Sequence, residues 1–531
     1  MRKHLAKDFS TLYILNLRGD IRKNMLSKGK AGEGENIFGQ GSMTGVAISI
    51  LVKNSSKNDK GEIQYLDIRQ NLKREDKLNT LKSIKSVTSD LFNANSETII
   101  PNEFNDWLNQ RDNSFLNHIE IGSKIKNGNS IFNLYSGGVK TNRDAWCFNF
   151  SKNKLVGNIS RMVDFYNQET IRFKKIEDSV EPKDFVNLDP VNISWTREVF
   201  NDVKKGYIHN VSSFEFCTAL YRPFTKQNLY FNRHFNNCVY KLYDIFTEQH
   251  LDNLVIMTCG RGSRNGFSVF ISNLIPDLNL LEAGAQCFPI YLYEEIAQER
   301  NVGSGDLFDN SLDLTVSETK YERKDGISDE GLEHFQAAYP NEQITKEDIF
   351  YYIYGLLHSE EYRNRYGDNL TKELPRIPCV KKAEDFWAFS KAGHDLAHWH
   401  LNYETVEPYK ATLDTGSTPY SQLTAEDFYV EKMKFAKKGE KGTVIYNKRV
   451  TIKDIPLEAY EYVVNGKPAL EWVMDRQGVS THKDSGIVND ANDWAIETMN
   501  NAAYPLELFL RVIAVSLETM KIVKALPKLD I

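Results

Sequence analysis

Four loops of this sequence concentrate side chains able to grip a phosphate or read a base edge. Residues 137–150, GGVKTNRDAWCFNF, put Lys140, Thr141, Asn142 and Arg143 on a glycine-led turn before an aromatic run. Basic and amide side chains held by a rigid element can bond phosphate oxygens and base edges. The same residues also make an ordinary polar turn. Residues 221–234, YRPFTKQNLYFNRH, set Arg222, Lys226 and Arg233 among aromatics, where ring stacking and buried stems are the competing use. Residues 257–267, MTCGRGSRNGF, carry Arg261 and Arg264 on a glycine loop. Residues 433–451, MKFAKKGEKGTVIYNKRVT, are the most basic short stretch, with Lys434, Lys437, Lys438, Lys441, Lys448 and Arg449 flanking a strand-like TVIYN. A basic two-stranded ribbon suits a phosphate backbone, and a solvated hairpin is the alternative.

Other chemistries are less well supported. His394 and His398 lie four apart on a predicted helix with His400 close by, yet with Asp395 and Leu396 in the second and third positions the stretch lacks the glutamate of HExxH. These histidines are expected to be structural or superficial. The six cysteines form no CxxC pair, so neither a zinc ribbon nor a redox motif is signalled. The glycine loop at residues 38–41, FGQG, precedes a strand, whereas a cofactor loop should follow one and open a helix, so a connector is expected.

The elements that must position these loops are mixed. At 531 residues, 41% hydrophobic and a net charge of −6, the chain can bury several cores, and its acidic total does not exclude nucleic acid, because local basic patches decide binding. The apolar run at 506–515 is interrupted by Glu507 and Arg511 and is too short to span a bilayer. With no signal peptide, a cytoplasmic location is expected. Residues 345–378 supply a landmark: Thr345 as N-cap, Asp348 three residues on, and Ile349, Ile353, Leu356 and Leu357 on one predicted face. A second helix over 360–369 is stopped by the prolines around Arg376. At the start, residues 9–17, 45–53 and 63–68 read as strands without convincing crossover helices, and their apolar runs suit a sheet covered on both faces. Arg18, Arg22, Lys23, Lys28 and Lys30 lie in the first loop. Residues 100–115 predict a docked helix, 146–150 a strand with Trp146, Phe148 and Phe150 at period two, 386–400 an aromatic helix, and 506–526 a final helix.

The ordered series GVAISILVK, GVKTNRDAW, YRPF, AQCFP, IYGLLHSEEYRNRY, LPRIP, HLNYE, KMKFAKK, YEYVVNGKPALEW and SGIVNDANDW resembles the C-terminal portion of single-chain type ISP restriction–modification enzymes, over residues 5–505. In that family a nuclease, helicase-like ATPase, coupler and gamma-class adenine methyltransferase precede a target recognition domain. The resemblance implies an α+β, mixed fold: last strands of a doubly wound methyltransferase sheet (1–75), methyltransferase trailing elements and the first recognition part (76–300), a helical hairpin segment (341–400) and a C-terminal target recognition subdomain (401–531), while residues 301–340, polar and glycine-bearing, read as a surface linker.

The departures shape the expected function. No NPP sequence of an NPPY-type motif, no Walker motif and no recognisable nuclease carboxylate cluster occur in the sequence. The resemblance therefore implies a fragment that recognises double-stranded DNA, with no catalytic, cofactor-binding or metal residues of its own and S-adenosylmethionine belonging to the complete enzyme. Lys140, Asn142, Arg143, Arg222, Arg261, Lys437 and Lys438 are the candidate DNA contacts, from loop chemistry alone. One alternative is half of a split methyltransferase completed by a separately encoded methyltransferase or helicase portion. The other is a degenerate, non-binding remnant.

Overall fold

The computed structural model describes residues 1–21, 32–54, 61–124, 129–176, 180–247, 253–296 and 321–531. Arg22, Lys23, Lys28, Lys30 and the part of the expected linker at 301–320 lie outside the described residues. Two compact units emerge: Met1–Asn117 with Arg261–Phe267 and Asn364–Pro375, and His118–Gly260 with Ser268–Arg363 and Arg376–Ile531.

The first unit opens with α1 (Arg2–Asp8), then β1 (Thr11–Asn16), β2 (Ala47–Val52), β3 (Glu62–Asp67), α2 (Arg74–Ile84), α3 (Asp90–Asn95) and β4 (Glu97–Ile99). The strands form one sheet of order β2-β1-β3-β4, in which only the β1–β3 pair is parallel. Alternation along β1 and β3 sends Leu15 and Leu66 to a core with Ile84 and Phe92, and Leu12, Ile63 and Tyr65 to a second with Ile99. The three predicted strands are present, but three details differ. The sheet runs on to Ile99, past the boundary expected at 75, and α2 and α3 pack on it. Apolar β2 is an edge strand, with β1 its one neighbour among the described residues, and is exposed along its whole length. Residues 100–115 form loops ending in a 3-10 turn rather than a helix, with Asn105 and Asn109 at positive φ, where asparagine is tolerated and a helix is broken.

Buried Asp106 ties this loop down. Its carboxylate meets Arg2 Nη2 at 2.8 Å, Arg111 Nε at 2.8 Å and Lys372 Nζ at 3.3 Å. Burial alone would raise its pKa, but Arg111 and Lys372 outweigh that and hold it at about 2. A carboxyl depressed in the folded state stabilises above its unfolded pKa near 4, and that contribution is lost as pH falls through about 2. Asp106→Ala is expected to cost about 3 kcal/mol at neutral pH, because three cations lose their shared partner. Urea melts at pH 7 and pH 2.5 check this: the gap between variant and native chain should narrow in acid.

The second unit begins with parallel β5 (Ile119–Gly122) and β6 (Ser130–Phe132), then β7 (Ser136–Gly137), α4 (Asp144–Cys147), β8 (Phe148–Asn149), the long α5 (Lys152–Phe173) and α6 (Arg197–Lys205). Next come β9 (Phe216–Arg222), β10 (Thr225–Tyr230), β11 (Val255–Thr258), β12 (Val269–Ser272), β13 (Ile275–Pro276) and β14 (Gln286–Pro289). They build two sheets, β13-β9-β10-β8 and β12-β11-β14-β7. The strand expected over 146–150 shrinks to β8. Asp144–Cys147 winds into a helical turn, which buries Trp146, Phe148 and Phe150 together rather than on one strand face. β15 (Tyr291–Glu295) pairs with β16 (Tyr321–Asp325), and α7 (Asp329–Ala338) follows. Residues 321–340 are therefore structured, not linker: Ile327, Phe335 and Tyr339 are buried.

The landmark forms α8 (Lys346–Leu356) and α9 (Glu360–Leu370), then β17 (Arg376–Ile377) and α10 (Ala383–Leu401). Thr345 and Asp348 make the reciprocal capping box that their spacing predicts. α8 is buried nearly all round rather than along one stripe, so its tyrosine hydroxyls need partners. Tyr352 donates to the Pro378 carbonyl at 2.7 Å and Tyr362 to that of Arg376 at 2.7 Å, which fixes the proline-bounded exit. His400, expected near a possible metal pair, is buried between Tyr354 Oη and Thr519 Oγ1, while His394 and His398 are exposed. β18 (Thr412–Asp414), β19 (Lys434–Lys437), β20 (Glu440–Ile445) and β21 (Thr451–Lys453) form a sheet of order β18-β21-β20-β19. α11 (Ala469–Arg476), α12 (Ala491–Glu497) and α13 (Tyr504–Lys524) close the chain. Among the described residues no helix is long and apolar enough to cross a membrane. The architecture is mixed α/β.

Candidate nucleic-acid interface

The basic stretch at 433–451 folds as the predicted ribbon. β19 and β20 pair antiparallel with Lys437 opposite Glu440, so Lys438 and Gly439 are the two turn residues. Gly439 takes φ of 86°, the conformation a tight two-residue hairpin turn favours and a side chain resists. The result lifts Lys437 and Lys438 to an exposed tip. Lys437 is 80% exposed, and its loose 3.5 Å contact to Glu440 costs little to exchange for a phosphate.

The root of this sheet frames a cleft of about 560 Å³ lined by the basic Lys432, Lys434, Lys448 and Arg449 and also by the acidic Glu426, Asp427 and Glu431, with Tyr429 and Asn447 between them in sequence. Asp427 is committed: it accepts from Thr424 and pairs with Arg449 at 3.1 Å. Asn447 braces the wall by donating to the Asp427 and Tyr429 carbonyls. Lys441 stands apart, its ammonium 4.8 Å over the centre of the Tyr460 ring and 3.1 Å from Glu471.

The other candidates divide by burial. Lys140 is half-buried, its backbone exchanging hydrogen bonds with Cys238, and it leads into exposed Asn142 at φ 55°. That loop is rigid: Thr141 bonds Asp144, and the Arg143 amide donates to Thr141 Oγ1 at 3.2 Å. Arg143 itself points inward. It is 3% exposed, and its guanidinium donates to the Ser194 and Phe235 carbonyls and to Thr196 Oγ1. Arg222 is similarly engaged, 2.6 Å from Asp277, 3.7 Å from Asp144 and stacked on Tyr221 at 3.9 Å. Burial pushes the Asp277 carboxyl up, and Arg222 pulls it back. The protein itself thus satisfies Arg143 and Arg222, and the surface contact expected of them is corrected to structural pairing. Sequence cannot see this, because a buried arginine and an exposed one sit in equally polar loops. Lys226 likewise pairs with Glu404 at 2.5 Å. Arg261 is exposed on its loop in the first unit. Lys140 and Asn142 share one loop and Lys437 and Lys438 one hairpin tip.

The phrase SGIVNDANDW proves structural. Asn489 accepts from the Phe150 amide at 2.9 Å, Asp490 caps α12, and Asn492 bonds both ways with Val430. Sequence reading missed one cluster, Asp202, His209 and His234, because its members are spread along the chain in no recognisable spacing.

Residues 130–508 match the family described as the Type ISP C-terminal specificity domain. Three solved structures are similar over essentially the whole chain. The ATP-dependent Type ISP restriction–modification enzyme LlaBIII bound to DNA is 36% identical, with a TM-score of 0.83 over 100% of this chain and 32% of that one. A nuclease-deletion mutant of the Type ISP enzyme LlaGI in complex with a DNA substrate mimic is 37% identical, TM-score 0.82, over 100% of this chain and 45% of that one. DrdV in a DNA complex is 28% identical, TM-score 0.78, over 99% and 48%. The chain thus spans between a third and a half of the enzymes it matches. No curated protein matches it.

Proposed function

The chain belongs to the Type ISP C-terminal specificity domain family, and from that premise we propose that it reads a target sequence in double-stranded DNA for a restriction–modification adenine methyltransferase. The observation that carries this is the exposed basic hairpin, Lys437 and Lys438 at its tip and Lys432, Lys434 and Lys448 at its root, on a domain whose solved relatives are DNA complexes. The lysines neutralise phosphates, which gives affinity that falls with salt. Asn142, with Lys140 beside it and Arg261 on a separate loop, offers the side chains suited to base edges. The loop at residues 38–41 enters a 3-10 turn and then leads to a strand, as a connector does. A role on cellular DNA also places the chain in the cytoplasm. Selection of bound duplexes from a random pool tests the proposal. Enrichment of one short motif supports it, and a pool unchanged after several rounds overturns it.

One observation favours a second reading. Ile48, Ile50, Leu51 and Val52 on the edge strand β2 are exposed, and an unpaired apolar edge seeks another strand. That suits completion of a methyltransferase sheet by a separately encoded portion. Co-expression with such a portion would then yield adenine methylation that neither piece has alone.

A further inference from the structure

Asp202, His209 and His234 come from three separate places in the second unit. Asp202 lies in the last turn of α6, His209 follows that helix's left-handed Gly206 cap, and His234 sits in the loop after β10. Their ligand-type atoms all fall within 4.8 Å of one another. Asp202 Oδ2 is 3.0 Å from His234 Nδ1 and 3.9 Å from His209 Nε2. Donors around a tetrahedral zinc, each about 2.0–2.1 Å from the metal, stand roughly 3.3 Å apart, so these separations bracket the required one.

An ion pair between Asp202 and His234 explains only part of this. It leaves His209 Nε2 buried with no hydrogen-bond partner while facing the same carboxylate oxygen. A buried, unpaired ring nitrogen costs free energy unless something meets it. The two imidazoles stand 4.2 Å apart between ring centroids, and both rings converge on the one Asp202 carboxylate. Asp202 is an acid at the carbonyl end of a helix, where the dipole favours positive charge. One divalent cation satisfies all three conditions.

The donors are also held in place. The His209 backbone accepts from Asn167 at 2.8 Å and donates to it at 3.0 Å, and its ring packs against Tyr166 and Phe235. The His234 amide donates to Asn232 Oδ1 at 2.8 Å. These contacts hold the backbone at both histidines and the plane of the His209 ring. His234 is 44% exposed, which leaves a path for the ion and room for a water as fourth ligand.

We propose that Asp202, His209 and His234 bind a borderline divalent cation, zinc foremost, as a clamp between α6 and the loop after β10. Two imidazoles and one carboxylate suit zinc better than magnesium or calcium, which prefer oxygen alone. The clamped loop also receives Arg143 at the Phe235 carbonyl and pairs Cys238 with Lys140. The cation therefore steadies the turn that presents Asn142. The site itself stands independently of the DNA reading.

The test uses tag-free chain stripped with chelator and titrated with zinc chloride by calorimetry. Cobalt absorption reports ligand geometry, and circular dichroism melting confirms that each variant is folded. One zinc per chain is expected, with a higher Tm on addition. His209→Gln, His234→Ala and Asp202→Asn should each weaken binding about tenfold or more and abolish the Tm rise. The exposed pair variant His394→Ala/His398→Ala should bind as the native chain does. No stoichiometric zinc on folded native chain, undiminished binding in His209→Gln and Asp202→Asn, or loss of binding in the His394/His398 variant would overturn the proposal.

Discussion

Alanine at Gly393 is expected to destabilise the second unit by about 3 kcal/mol or more, and alanine at Gly355 by a similar amount. The two glycines face each other where α8 crosses α10. A Cβ on Gly393 would overlap the Tyr351 carbonyl, and one on Gly355 the Phe389 carbonyl. Both obstacles are backbone in buried helices, so neither yields by a rotamer change. Separating the helices would also pull apart the stack of Tyr352 on Phe386, at 4.7 Å, and the bond from Ser390 Oγ to the Asp348 carbonyl. Alanine raises helix propensity by up to ~1 kcal/mol over glycine, which is too little to offset the overlap. Chemical denaturation monitored by tryptophan fluorescence reads the effect. Gly157, on α5 with open space around its Cβ position, is the control: alanine there should leave stability unchanged or slightly higher. An unchanged midpoint for Gly393→Ala would show that the two helices do not cross so closely.

Reversing the charge of Lys434, Lys437 and Lys438 to glutamate together is expected to weaken duplex binding about a hundredfold at low salt. It should also reduce the slope of log affinity against log salt by about 2–3, since each phosphate contact contributes roughly 0.9. Stability should be nearly untouched, because all three side chains are exposed and Lys437 has only its loose contact to Glu440. The loss should be similar for every sequence, because phosphate contacts carry no sequence information. Asn142→Ala is expected to behave differently: a small loss on random duplex and a larger one on the preferred site. Equal salt slopes for the lysine variant and the native chain would remove the hairpin from the interface.

Much of the framework is legible in the sequence, for identifiable reasons. The Thr345–Asp348 capping box, the strands β1 and β3, the ribbon β19–β20 and the long α13 are set by local patterns that survive folding. The failures lie where distant contacts decide. β2 reads as an interior strand because its residues are apolar, yet sheet order leaves it at an edge. Residues 321–340 read as linker because they are polar, yet β16 pairs with β15 and Phe335, on α7, is buried. The basic loops are legible, but the division of their side chains into inward and outward ones is not. Arg143 and Arg222 turn inward because the Ser194 and Phe235 carbonyls and Asp277, all remote in sequence, await them. The Asp202–His209–His234 cluster left no signal at all, since proximity there is produced by α6 and the β10 loop meeting in three dimensions.

The measurement that bears most directly on the central claim is the affinity of the purified chain for its selected duplex relative to a scrambled one, followed across a salt titration. Sequence recognition predicts a preference of roughly a thousandfold or more near physiological salt, with similar salt slopes for the two duplexes, because both share the phosphate contacts. Equal affinity for the two duplexes at every salt concentration would contradict it, and would mean that this chain holds DNA without reading it.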